Sequence, residues 1–233
     1  MKRLPLILLV LFAAILATRV IARSVPAPQP FGQYVEARSA SVWCGPCHHA
    51  GEVYEMGRNG IAAWAFEGGE QNGYDLTGVK VVMLLGHSDQ NLAELGAGPL
   101  ESTRFIVDAP DATTARAARN WALLRARPVP NPRTMELVEA RISFTRDGDF
   151  FRVASDGLFE VRGDAIADGS CCSQPENRWY ETFDDEIDGL SIVGVPDVCE
   201  VTKQGALESW RHAGENNVQL ASDDTVLAAL LRH

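Results

Sequence analysis

Basic charge is what this chain has least of. Lys and Arg together number 21 against 31 Asp and Glu, giving a formal net charge of -10 and a pI near 5.0. Nucleic-acid phosphates and anionic membrane surfaces both require a basic face, so the composition excludes them as partners. No nucleophile elbow, phosphate-binding glycine loop or His-Glu-x-x-His helix occurs, which removes several common enzyme signatures. There is no internal repeat, and the only biased segment is a short proline-rich stretch. The longest apolar run at the N-terminus, Leu4 to Ala17, has about 14 residues and is short for a spanning helix.

That run has the length of a signal-peptide core. Lys2 and Arg3 precede it, and Val20-Ile21-Ala22 follows as a small-residue cleavage site. The expectation is a signal peptide over 1–22 and a periplasmic or otherwise exported protein. The alternative is an uncleaved N-terminal anchor, because Arg19 and Ile21 depart from the usual cleavage region. Cleavage would remove Lys2, Arg3 and Arg19 and leave a still more acidic chain. Residues 23–32 read as an extended tether, since Pro26, Pro28 and Pro30 fix φ and remove donors. Residues 33–233 then form one domain, of ordinary composition at 46% apolar and 22% charged over the whole chain.

The hydrophobic pattern predicts strands over 34–43, 60–67, 76–85, 103–107, 150–154, 158–161, 190–195 and 217–221. The clearest alternation is Val138, Ala140, Ile142 and Phe144 against Glu139, Arg141, Ser143 and Thr145. Asp147-Gly148 and Asp156-Gly157 read as hairpin turns. One clear helix is expected over about 114–126, capped by Asp111 or Thr113 and ended by Pro128. The expected class is α+β, with a mostly antiparallel sheet and a cysteine-bearing loop after the first strand.

The chemistry concentrates in Trp43-Cys44-Gly45-Pro46-Cys47-His48-His49. Two thiols two residues apart can reach one soft ion, and imidazoles add ligands, so the pattern suits copper or zinc. Candidate metal ligands are Cys44, Cys47, His48, His49, Cys171 and Cys172. The same residues support a thiol-disulfide oxidoreductase, with Cys44 attacking and Cys47 resolving. Trp-Cys-Gly-Pro-Cys matches the thioredoxin active site, but the glycines between His48 and Gly60 forbid the amphipathic helix that fold requires, and the preceding strand is polar at Glu36 and Arg38. The third reading is a non-catalytic structural or interaction domain, with Cys44 or Cys47 bridged to Cys171 or Cys172. Closing so long a loop stabilises by roughly 4–5 kcal/mol. The chain has 5 cysteines, an odd number that leaves at least one without an internal partner. Vicinal Cys171 and Cys172 are poor partners for each other because the ring is strained.

Other positions carry less. His87 follows a strand and is a ligand, a base or simply solvated. His212 and His233 are similar. Asp184, Asp185, Glu186 and Asp188 either hold calcium or form a wet acidic turn. Trp64 and Trp121 are expected in the core.

Several stretches occur in an order that resembles the bacterial family called domain of unknown function 1326. They are Tyr34-Val35-Glu36-Ala37-Arg38, Gly45-Pro46-Cys47, Asp75-Leu76-Thr77-Gly78-Val79, Phe105-Ile106-Val107-Asp108, Gly169-Ser170-Cys171-Cys172 and a closing stretch near Trp210 to Ala221. The resemblance covers most of the chain after residue 30. It implies a single domain with no assigned activity, and a membrane-bound metal-handling partner. It carries over Cys47 and one or both of Cys171 and Cys172. Relatives of this kind place a cysteine about seven residues before the Pro-Cys pair; here that position is Ala40, and Cys44 lies closer.

Overall fold

The computed structural model describes residues 28–41, 57–86, 92, 100–166, 181–187 and 191–222. Thirteen strands and one helix follow in chain order: β1 (Phe31–Arg38), β2 (Asn59–Gly68), β3 (Glu70–Gln71), β4 (Tyr74–Asp75), β5 (Lys80–Gly86), β6 (Ser102–Asp108), α1 (Ala112–Arg125), β7 (Met135–Glu139), β8 (Ser143–Asp147), β9 (Phe150–Ser155), β10 (Phe159–Ala165), β11 (Ile192–Val201), β12 (Trp210–Arg211) and β13 (Val218–Ser222). The main sheet runs β7-β6-β5-β2-β1-β13-β11-β10-β9-β8, with β12 beside β11, while β3 and β4 pair separately. Every pairing is antiparallel except β6 with β7.

The expected α+β class is therefore corrected: the protein is β-rich, and the described residues form one large curled sheet with a single 14-residue helix. The sequence pattern understates the strands for identifiable reasons. β11 runs to Val201 through Pro196, a residue that ordinarily argues against a strand. A register shift between Arg162 and Gly163 accommodates the proline. Gly163 is required there, because a Cβ would lie 2.1 Å from the Val195 carbonyl oxygen.

The sheet must curl because its two edges belong to consecutive strands. β7 and β8 sit at opposite ends of the strand order, yet only residues 140–142 join them. Laid flat, ten strands would hold their edges roughly 43 Å apart. Four Cα steps cover at most about 14 Å. The alternating stretch that reads as one strand is thus divided between two edges, its first part on β6 and its second on β9. Asp108 ties the join: its carboxylate accepts from the Ile142 amide at 3.1 Å and meets Arg141 at 3.5 Å.

Curling gives the sheet two different faces. The concave face gathers Val35, Ala37, Ile61, Leu84, Ile106, Phe151, Val153, Phe159 and Leu220 from strands far apart in the order. The convex face of β1, β2, β5 and β6 is roofed by α1, which buries Ala115, Ala118, Trp121 and Ala122 against it. Trp121 meets Trp64 and Phe66 edge-on, at 6.1 and 4.8 Å between ring centroids. Asp111 caps the helix, accepting from the Thr113 and Thr114 amides at 2.8 and 2.9 Å, and these bonds hold its carboxyl below the usual range. The two Asp-Gly hairpins form as the sequence suggests, with Gly148 and Gly157 at positive φ.

Candidate functional site

Cys44, Cys47, His48, His49, Cys171 and Cys172 lie outside the described residues, as do His87, Asp188 and His233. The fold does fix where the segments bearing the cysteines are rooted. Segment 42–56 leaves after β1 at Ser41 and returns at Gly57, just before β2. Segment 167–180 leaves after β10 and returns at Glu181, which passes over the convex face of β1.

The two roots meet through a buried polar cluster. Strand periodicity places Tyr34, Glu36 and Arg38 on one face of β1, and the segment 181–187 covers them. Glu36 is 0% exposed and Arg38 2%. Oε2 of Glu36 accepts from the Tyr34 hydroxyl and from the Phe183 backbone amide, each at 2.5 Å. Oε1 accepts from Arg38 Nε at 3.1 Å and Gln219 Nε2 at 3.0 Å. The Arg38 guanidinium lies 3.9 Å over the Phe183 ring and donates through Nη2 to the Glu181 carbonyl. A buried charge in low dielectric needs this degree of satisfaction to persist. Burial pushes the Tyr34 hydroxyl well above its ordinary pKa, aided by the charges of Glu36 and Asp184.

Asp184 anchors the same segment from its other side. Far from being a wet acidic turn, this residue is 0% exposed. Its carboxylate takes Trp64 Nε1 at 2.7 Å, Arg125 Nε at 2.8 and 3.0 Å, and the Glu186 amide at 3.0 Å. Glu186 pairs with Arg125 at 2.5 Å and Asp185 with Arg127. These carboxylates are committed to arginines, and among the described residues no group of three or more His, Cys, Asp or Glu is placed to hold a metal ion. Sequence reading missed this cluster. The available signal was Glu36 and Arg38 two residues apart on one strand, opposite charges on one face.

Cys199 is the one cysteine within the described residues, and it is buried with a free thiol. It sits in the concave core, where Asn217 Nδ2 reaches its sulfur at 3.7 Å and also donates to the Arg38 carbonyl at 2.7 Å. Burial pushes its pKa up to about 12, which removes it from thiolate chemistry at neutral pH. Nearby, Ser41 donates to Glu215 Oε2 at 2.5 Å, and His212 Nε2 lies 3.5 Å from the same oxygen. His212 thus lies beside the root of segment 42–56, its buried Nε2 making no hydrogen bond among the described residues.

No family model, curated protein or solved structure matches this chain. Among the described residues no helix is long and apolar enough to cross a membrane.

Proposed function

We propose that this is an exported thiol-site protein that binds a soft metal ion, copper first and zinc second. The observation that carries the reading is Cys44-Gly45-Pro46-Cys47 followed at once by His48 and His49. Sulfur and imidazole at this spacing form a chelate suited to Cu(I) or Zn(II). Two features of the fold support it. Cys199 accounts for the odd thiol, since it is buried and free, so the four remaining cysteines form an even set. The segments that carry them are tied at their roots by Glu36, Arg38 and Phe183. Cys171 and Cys172 then complete the ligand set, and a membrane-bound metal-handling protein is the partner that the family resemblance implies.

The test is metal binding by the dialysed full-length protein against a Cys44→Ser/Cys47→Ser variant. Tighter binding of Cu(I) or Zn(II) by the native chain is expected. Equal binding would sink the proposal. In that case a reversible Cys44–Cys47 bond, with a potential well above about -300 mV, would mark an oxidoreductase instead. Stable long-range bridges would mark a stapled domain.

A further inference from the structure

A cleft of about 460 Å³ opens beside the start of β1, between that strand, α1 and the turn at Glu186. Tyr34 lines it, and Ser41, the last described residue before segment 42–56, lies seven residues further along the chain. The volume falls in the range of small-molecule sites, roughly 300–1,000 Å³.

Three observations define what it would take. First, its lining includes Phe31, Tyr34, Trp64, Phe66 and Trp121; Phe31 is the exposed one, and the buried four back the cleft. Second, the large apolar side chains exposed among the described residues are Phe31 at 44%, Tyr74 at 40%, Leu124 at 80% and Val129 at 64%. Two of these four, Phe31 and Leu124, line this cleft. Apolar surface concentrated around a concavity marks a place that something apolar covers. Third, the only cation among the described lining residues is already outnumbered. Arg125 is held by Asp184 at 2.8 Å and by Glu186 at 2.5 Å. Among the described lining residues no positive charge is left to balance an anion, and Glu186 itself lines the cleft.

We propose that this cleft binds an uncharged, mostly apolar small molecule. None of the described residues that line it is a cysteine or a histidine. Two fluorescent probes with the same ring system separate the chemistry: N-phenyl-1-naphthylamine is neutral, and 1-anilinonaphthalene-8-sulfonate carries a sulfonate. The full-length protein is titrated with each. Saturable binding of the neutral probe at one site per chain is expected, with the sulfonate binding at least ten-fold more weakly. Leu124→Asp places a carboxylate at the cleft and is expected to weaken the neutral probe at least ten-fold. Val129→Asp alters another exposed apolar residue, outside the cleft, and is expected to leave binding unchanged. Both side chains are exposed, so neither change endangers folding. Failure of the neutral probe to saturate, equal affinity for the two probes, or equal effects of the two substitutions would each overturn the proposal.

Discussion

Glu36 shows how one residue joins two distant parts of the chain. Its carboxylate takes four donors, from Tyr34, Arg38, Gln219 and the Phe183 amide, and has no solvent exposure. Gln at this position keeps the shape but turns one acceptor into a donor and removes the carboxylate that faces Arg38. Removing one partner of a buried ion pair typically costs about 3–5 kcal/mol. Glu36→Gln is therefore expected to lower the unfolding free energy by about that amount in urea denaturation. A loss under about 1 kcal/mol would show that the cluster is relaxed or hydrated in solution. Its burial was not legible in the sequence. Glu36 and Arg38 look like the wet face of a strand, and the roof over them comes from residues about 145 positions later. Asp184 misleads for the same reason, since its partners Trp64 and Arg125 are supplied by other elements. Of the proposed thiol site, the sequence supplies the ligands and the fold supplies the roots.

At the scale of elements, local signals read well and pairings did not. Asp-Gly turns and the Asp111 cap act through neighbouring residues, so both follow from sequence. The alternation of Val138 to Thr145 correctly marks extended chain, but its division between β6 and β9 depends on the curl of the whole sheet. Asp108 holds that division. Its carboxylate meets the Ile142 amide, Arg141 and Lys80, the last at 3.9 Å. Asp108→Ala leaves the Ile142 amide without this acceptor, at a cost of about 1–3 kcal/mol. Hydrogen exchange is expected to quicken selectively in β7 and β8, with β1, β2 and β5 unchanged. Uniform loss of protection would mean that the join is no weaker than the rest of the sheet.

The whole molecule carries a second consequence of its buried groups, in alkaline solution. Cys199 titrates at about 12 in the fold, against 9.0 ordinarily. Its raised pKa means that the folded state keeps a proton the unfolded chain gives up. The stabilisation is complete below pH 9 and is lost as pH rises toward 12. Within that window stability is expected to fall by about 1.4 kcal/mol per pH unit for this proton. Tyr34, also raised, adds a second proton above its ordinary value of 10.0. Urea midpoints at pH 8, 9 and 10 test this, with a Cys199→Ala chain expected to show the flatter profile between 9 and 10. Equal slopes would place the thiol in contact with water.

The short join between β7 and β8 makes the sheet behave as a hoop with a clasp. The ten strands share one circumference, and residues 140–142 set how far its ends can part. An inserted strand, or a substitution that thickens the concave core, would widen the hoop and load the clasp, however distant the change. Lengthening the clasp itself would relieve that load without breaking a single hydrogen-bonded pair within the sheet.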